Sequence, residues 1–165
     1  ESMLKAFVIW TMGSLGSVTN SQLSVLTPAI LAGIILALVK IKDLNAFLLG
    51  ENYARSLGVR IIKSRIIIFL STSLLAGTIT AFCGPIGFIG IAVPHICRVI
   101  FKTSNHLILI PAVILTGSIV MLFSDILSQL PGMQTTLPIN SVTAIIGIPV
   151  IMWMIIRNKK FTSVA

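Results

Sequence analysis

Long apolar runs that recur between short polar segments constrain this sequence more than any other feature. A helix needs roughly 20 apolar residues to cross the core of a bilayer. Five stretches reach or approach that length: Gln22–Val39, Ile66–Cys83, Ile86–Phe101, Leu107–Ser128 and Ile139–Ile156. The third is the weakest, because it is short and contains Pro94, His95 and Arg98. Glycine and proline inside such runs are ordinary in membrane bundles. The pattern predicts an all-α, polytopic membrane helical bundle with about five transmembrane helices.

The composition agrees with lipid as the main solvent of this chain. Only 10% of its 165 residues are charged, whereas 56% are apolar. A soluble domain carries about 25% charged residues, which it needs to cover a water-facing surface. We therefore expect a single membrane domain over residues 1–165.

The basic residues predict how the bundle is oriented. The chain has 12 Lys and Arg against four Asp and Glu, a net charge of +8. All but Lys5 fall on one side of the predicted spans: Lys40, Lys42, Arg55, Arg60, Lys63, Arg65, Arg98, Lys102, Arg157, Lys159 and Lys160. Because Lys and Arg are enriched in cytoplasmic loops, we expect the chain to start outside and its C-terminus to lie in the cytoplasm. This explanation of the charge predicts no nucleic-acid partner.

Residues 1–21 precede the first predicted span. Met3–Met12 is apolar but too short to cross a bilayer, and a polar turn, Gly13–Asn20, follows it. We expect a short outer helix that lies at the interface, with Trp10 at headgroup depth. The chain begins at Glu1 without the pattern of a signal peptide, so we expect a fragment or a processed product.

The loop between the first two predicted spans is the most informative polar segment. Asp43 is in position to cap a short helix that stops at Gly50. Glu51 then starts a second helix, in which Arg55 follows at ion-pair spacing and Gly58 follows as a terminating glycine. Two short helices with small apolar faces predict a rigid, protruding knob, Leu44–Val59. The alternative is a pair of interfacial helices without a partner.

The second informative segment is Cys83–Arg98. Gly84, Gly87 and Gly90 recur every third residue, which predicts one helix face that another helix can approach. His95 is expected to be a packed or capping histidine; with Cys97 it offers two soft donors, which are too few for a metal site. Cys83 and Cys97 are expected to be small buried residues without a disulfide.

Few polar residues remain for other chemistry. Asp125 lies near the end of a predicted span, where it either lines a water-filled vestibule or holds a neighbouring helix end by hydrogen bonds. No P-loop sequence is present, so ATP hydrolysis, if the protein uses it, belongs to another polypeptide. No catalytic constellation is visible, and we expect no enzyme activity and no metal site in this chain.

Five ordered motifs carry a resemblance to a known family. They are Trp10–Leu15, Leu44–Val59, Gly84–Arg98, Ser124-Asp125 and Leu137–Pro149. In that order and spacing the chain resembles the C-terminal half of the permease subunit of the ABC importers for iron siderophores, haem and vitamin B12. The resemblance implies a ten-helix permease of the bacterial cytoplasmic (inner) membrane that moves such a chelate inwards. It implies as partners a second permease copy, two ABC ATPase subunits that carry ATP and Mg, and an extracytoplasmic binding protein.

The resemblance also implies roles for individual residues. The knob becomes the element that couples the permease to the ATPase, through Leu44, Asn45, Leu49, Gly50, Glu51, Ala54, Arg55, Ser56, Leu57 and Gly58. Six residues are expected along the translocation path, with packing at the dimer interface as the alternative for the last three: Trp10, Gly13, Ser14, Asn140, Ser141 and Thr143. Residues expected to act in helix packing or gating are Gly84, Gly87, Gly90, Pro94, His95, Arg98 and Asp125.

The chain departs from the family pattern at three positions. Asn140 replaces a usual glycine, Ile148 a usual small residue, and Gln129 an arginine that can pair with the binding protein. Two other functions stay open from the sequence: a permease for a free metal ion such as zinc or manganese, and a membrane scaffold that transports nothing.

Overall fold

The computed structural model describes residues 2–16, 18–129 and 137–162, with side chains except those of Ser2, Lys5 and residues 157–162. These residues form eight helices and no strand: α1 Ser2–Met12, α2 Asn20–Val39, α3 Ile41–Phe47, α4 Glu51–Ser56, α5 Ile61–Cys83, α6 Ile89–Phe101, α7 His106–Ser128 and α8 Ile139–Thr162. The predicted all-α class is confirmed. Of the basic residues used for the orientation, the side chains of Lys5, Arg157, Lys159 and Lys160 lie outside the described part.

Five helices run between the two ends of the bundle. One end holds α3 and α4, and the other holds α1 and the start of α8. α2, α5, α7 and α8 contain stretches long and apolar enough to cross a membrane. α6 has 13 residues and is only about 20 Å long. It still joins the two ends, because non-helical segments precede and follow it: residues 84–88 and 102–105.

The third predicted span therefore differs from the observed helix. Helix was expected from Ile86, but α6 begins at Ile89. As a consequence, Gly84 and Gly87 lie in the connection before the helix and only Gly90 lies inside it. The prediction that the three glycines share one helix face was wrong, because regular spacing of glycine does not by itself produce a helix.

α2 and α5 form an antiparallel pair that packs through small residues. The Ser71 hydroxyl is buried and donates a hydrogen bond to the carbonyl oxygen of Gly33, at 2.7 Å. A Cβ atom on Gly33 would lie 2.6 Å from Cγ of Leu75, so only glycine permits this approach. Large side chains such as Ile35 and Leu70 point outwards and are exposed. Small residues inside and large apolar residues outside are typical of membrane helices.

α6, α7 and α8 form a second pack. Val93 and Cys97 of α6 lie in a buried cluster with Leu109 and Ala112 of α7. The Cys97 thiol lies 3.5 Å from the Thr116 hydroxyl. Both cysteines are buried and free, which confirms the prediction that they are small packed residues.

The main connections between the two packs lie at the ends of the bundle. Along their lengths, α2 and α5 contact mainly each other, and α6, α7 and α8 contact mainly one another. At one end α3 touches α7. At the other end α1 touches α8, and the backbone N–H of Ser14, just after α1, donates to the carbonyl oxygen of Cys83 at the end of α5. The two ends are therefore the places where movement of one pack can reach the other.

Candidate coupling site and gate

The predicted knob is present as two short helices with a core of its own. Ala54 of α4 is 0% exposed and packs with Ala46 of α3 and Ile61 of α5. Gly50 precedes α4 with φ +96°, and Gly58 follows it with φ +82°. Backbone with such positive φ favours glycine. The two glycines thus set where α4 starts and ends, as predicted for Glu51 and Gly58.

Asp43 holds the base of the knob, although not as the predicted helix cap. It lies inside the first turn of α3, whose cap position is Lys40. Lys40 and the buried Ser64 hydroxyl of α5 both donate to Oδ2 of Asp43, at 2.8 and 2.5 Å. Partial burial opposes the charge on this carboxyl, but the hydrogen bonds from Lys40 and Ser64 and the charge of Lys40 outweigh it and lower the pKa of Asp43. The cap prediction was wrong because a tertiary partner, Ser64, competes for the carboxylate.

Glu51 pairs with α5 rather than with its own helix. The guanidinium of Arg65 donates to the Glu51 carboxylate, and the side chain of Arg55, four residues along α4, is exposed. The predicted Glu51–Arg55 pairing was therefore wrong. A contact across 14 residues replaced the local one, because α4 folds back along the start of α5.

The exposed side of the knob is apolar with a charged edge. Leu49, Tyr53 and Leu57 are 65%, 50% and 60% exposed. Leu48 and the basic Arg55 lie beside them and are also exposed. Clusters of exposed apolar residues edged by charge are typical of protein-binding surfaces. Of the remaining predicted coupling residues, Leu44 faces a cavity shared with Glu51 and Arg65, and the Ser56 hydroxyl donates to the carbonyl oxygen of Tyr53.

Asn45 points away from that surface and joins α3 to the start of α7. Its Oδ1 accepts a hydrogen bond from the backbone N–H of His106 at 2.8 Å and lies 2.9 Å from Nδ1 of the same residue. Its Nδ2 donates to Oδ1 of Asn105 at 2.8 Å. Asn105 caps α7 by accepting from the backbone N–H of Leu107. We call Asn45, Asn105 and His106 the Asn45 junction.

A second asparagine organises the other end of the bundle. Asn140, in the first turn of α8, donates from Nδ2 to the carbonyl oxygens of Thr11 and Pro85, at 3.2 and 2.6 Å. Its Oδ1 accepts from the backbone N–H of Gly87 at 3.0 Å. One side chain thus ties together α1, α8 and the connection between α5 and α6. We call Asn140 with Thr11, Pro85 and Gly87 the Asn140 junction.

The backbone beside the Asn140 junction is tightly packed and strained. Gly84 has φ +79°, and a Cβ atom on it would overlap the carbonyl oxygen of Trp10. Phe88 has φ +63° and is the centre of a three-residue turn, closed by the hydrogen bond from Ile89 N–H to the Gly87 carbonyl oxygen at 2.7 Å. Such a turn is rare outside glycine. Gly84 therefore allows α1 to pack closely against the α5–α6 connection, and the turn at Phe88 sets the direction in which α6 begins.

The residues predicted for the path gather around this end. Trp10 and Ser14 line a cavity of about 370 Å³ together with Phe82 and Cys83. Gly13 is buried against Ile139. Ser141 is exposed, whereas Thr143 is 0% exposed and donates to the carbonyl oxygen of Asn140. Trp10 and Ser141 are therefore exposed and Ser14 is partly exposed, whereas Thr143 faces the interior.

The remaining predicted packing and gating residues have ordinary partners or are exposed. The His95 ring meets the Trp153 ring edge-on, with centroids 6.4 Å apart, as expected for a packed histidine. Pro94 lies within α6, and Arg98 is exposed near its end. Asp125 accepts from the side chain of Gln129, the residue that follows α7, at 2.9 Å, so Gln129 has a carboxylate partner in this chain. Among the described residues, no three of His, Cys, Asp and Glu lie close enough to hold a metal ion.

Three partners of these sites were missed from the sequence. Arg65 and Ser64 hold the knob from α5, and Asn105 holds it from α7. The position of Asn105 directly before an apolar run is a helix-start signal and would have identified it as the α7 cap. Nothing in the sequence indicates that Asn105 meets Asn45, which lies 60 residues away.

Comparison with known proteins agrees with this architecture. The sequence model of the FecCD transport family matches residues 1–157. The chain is 33% identical to the hemin transport system permease protein HmuU of Yersinia pestis, over 97% of this chain and 48% of that protein. It is 34% identical to the vitamin B12 import system permease protein BtuC of Salmonella typhi, over 95% of this chain and 48% of that protein.

A solved structure is similar as well. It is described as a metal-chelate type ABC transporter in an inward-facing conformation, and it superposes with a TM-score of 0.82 at 31% identity. The match covers 95% of this chain and 50% of the solved chain. The chain thus spans about half the length of the relatives that it matches. Because the family model covers nearly the whole chain and the fold agrees, this chain belongs to the FecCD transport family.

Proposed function

We propose that this chain is the C-terminal half of the permease subunit of an ABC importer that moves a metal chelate, haem or cobalamin into the cytoplasm. The observation that carries the proposal is the knob: a compact pair of helices with an exposed apolar surface, held by side chains to both helix packs. Relatives named for haem and vitamin B12 transport support the substrate class. ATP hydrolysis belongs to a separate ATPase subunit in this proposal.

In the proposed assembly the knob binds the ATPase. Leu49, Tyr53 and Leu57 supply the apolar contact surface, and Arg55 lies beside it. The contact does work only if the ATPase binds the permease differently in its two nucleotide states. Charge supports the cytoplasmic location of this end, since eight basic residues with described side chains lie here: Lys40, Lys42, Arg55, Arg60, Lys63, Arg65, Arg98 and Lys102.

The opposite end faces the outside in the same proposal. Trp10 and Ser141 are exposed there and Ser14 is partly exposed, and we propose that these three residues line the entrance of the path. Asn140 holds α1 and α8 in register behind them. A second permease copy completes the path, and an external binding protein delivers the chelate.

Uptake into proteoliposomes tests the function. Vesicles containing the full-length permease, its ATPase subunit and its binding protein are offered labelled ferric siderophore, haem, cobalamin, and free zinc and manganese. We expect ATP-dependent uptake of at least one chelate, and none with an ATPase variant that cannot hydrolyse ATP. Uptake of free ions but of no chelate would overturn the proposal.

A further inference from the structure

The knob is fastened to the two helix packs in different ways. To the α2–α5 pair it is joined by the chain itself and by two charged contacts, Asp43 with Lys40 and Ser64, and Glu51 with Arg65. To the α6–α8 pack, the described side-chain hydrogen bonds run from one residue, Asn45. A force on the knob therefore reaches α5 by several routes and α7 chiefly by Asn45.

The Asn45 junction links α3 directly to the start of α7. The amide of Asn45 uses its donor side on Asn105 and its acceptor side on His106, so both halves of one planar group are engaged. Its target is the first turn of α7, where free backbone N–H groups need acceptors. Asn105 satisfies Leu107 N–H and Asn45 satisfies His106 N–H. Moving α3 away from α7 would thus take the Asn45 partner from two groups at the helix start, the backbone N–H of His106 and Oδ1 of Asn105.

From this geometry we infer that Asn45 is a positioning residue, which transmits movement of the knob to α7 and through it to the α6–α8 pack. The inference rests on the proposed function, and it assigns Asn45 a different task from the exposed knob residues. Leu49, Tyr53 and Leu57 bind the ATPase, whereas Asn45 passes the resulting movement on. Without the Asn45 side chain, the complex should still hydrolyse ATP but should import less substrate for each ATP.

The test measures uptake and ATP hydrolysis on the same proteoliposomes. The Asn45→Ala permease should assemble with the ATPase, and the complex should hydrolyse ATP. Its import ratio, the number of molecules imported per ATP hydrolysed, should fall by about fivefold or more, since fivefold is the lower end of typical coupling between sites. Asn45→Asp should restore only part of the loss, because it loses the donor to Oδ1 of Asn105. It keeps an acceptor for the His106 N–H, and its negative charge is favourable at a helix N-terminus.

Two further variants keep the result interpretable. Ser104→Ala alters an exposed side chain in the same connection, one without a described hydrogen bond, and should behave as wild type. In the Asn45→Ala background, Asn105→Ala should lower the import ratio little further, because residues that act through one contact are not additive.

Several outcomes would overturn the inference. These are an unchanged import ratio in Asn45→Ala, an equal fall in Ser104→Ala, or loss of ATPase binding in Asn45→Ala, which would give Asn45 a role in assembly alone. Failure of the wild-type proteins to import any chelate would instead contradict the proposed function, so the two failures are distinguishable.

Discussion

The Asn45 and Asn140 junctions solve the same problem with different stiffness. Each uses one asparagine to hold the start of a helix against another part of the chain. Asn140 bonds to three backbone groups, in α1 and in the α5–α6 connection, next to a glycine and a phenylalanine with positive φ. Asn45 bonds to one backbone group and two side chains, and its contact with Asn105 is exposed. Backbone partners cannot rotate away, whereas exposed side chains can exchange with water.

Two junctions of unequal stiffness would let the bundle hold one end fixed while the other end moves. A tight, backbone-bonded Asn140 junction keeps α1, α8 and the α5–α6 connection in register. A lighter Asn45 junction follows the knob. In the proposed importer, the ATPase acts on the lighter end. Substitutions at both ends test this contrast, and the change expected to destabilise the permease most is described first.

Gly84→Ala should lower the stability of the permease most, because Gly84 lies in the tightly packed backbone beside the Asn140 junction. The new Cβ atom would overlap the Trp10 carbonyl oxygen and lie 3.1 Å from Cα of Gly13, at a φ of +79°. Backbone atoms cannot move aside cheaply, so we expect a loss of about 3 kcal/mol or more in stability. Thermal unfolding of the purified full-length permease measures it. Gly16→Ala, which meets no atom within 4 Å, is the control. An unchanged melting temperature for Gly84→Ala would contradict the close approach of α1.

Asn140→Ala should come next. It leaves the Gly87 N–H and the carbonyl oxygens of Thr11 and Pro85 without their partner, at a cost of about 2–4 kcal/mol. Asn140→Gly, which restores the residue usual in the family pattern, should be destabilising here for the same reason. The control Ser141→Ala alters the exposed neighbour and should leave the melting temperature as it is. If both asparagine variants melted like the wild type, Asn140 would not hold this end together.

Asp43→Asn probes the base of the knob and should cost about 1–2 kcal/mol at neutral pH, since it weakens charge-assisted hydrogen bonds. The folded state lowers the pKa of Asp43 from its ordinary value of 3.8. The stabilising charge is therefore fully present above that value and is lost as the pH falls through the lowered pKa.

Melting temperatures of wild type and Asp43→Asn at several pH values measure this effect. Their difference should stay constant from about pH 7 to about pH 5 and shrink only below 3.8. A difference that grew on acidification would contradict the sign of the shift.

Glu51→Gln should have the smallest effect on stability. The Glu51 and Arg65 side chains are 50% and 53% exposed, and exposed ion pairs contribute less than about 1 kcal/mol. Uptake should nevertheless fall, because the pair orients the knob against α5. Arg55→Gln should also reduce uptake, through the ATPase contact. Intact ATPase association and intact uptake in both variants would contradict the coupling role of the knob.

Much of the fold followed from hydropathy. Each of the helices α2, α5, α7 and α8 has at least one end within about two residues of the end of a predicted span. These spans were predictable because apolar length alone identifies a membrane helix. The start of α6 could not be predicted from hydropathy. The strained turn at Phe88 is set by contacts with Asn140 and Gly147 rather than by the conformational preferences of the residues in the turn. A Cβ atom on Gly147 would lie 2.5 Å from that of Phe88, so α8 helps to position the turn.

The candidate site was predictable only in part. Gly50, Glu51 and Gly58 followed from local helix signals, and the structure has α4 between them. The partners that Asp43, Asn45 and Glu51 find in α5 and at the start of α7 could not be predicted, because each lies 14 to 61 residues away. Periodicity and capping rules describe one helix at a time. Contacts between helices required the folded chain.

Cross-linking tests whether the knob contacts the ATPase in the assembled importer. Tyr53→Cys places a reactive thiol on the exposed knob surface, and Ser21→Cys places one at the opposite end. Cys83 and Cys97 can stay, because both are buried. In assembled, importing complexes, a maleimide that carries a photoactivatable benzophenone should join the ATPase subunit to the Tyr53→Cys permease and not to the Ser21→Cys permease. An active importer whose ATPase cross-links to residue 21 and never to residue 53 would contradict the assignment of the knob as the coupling element.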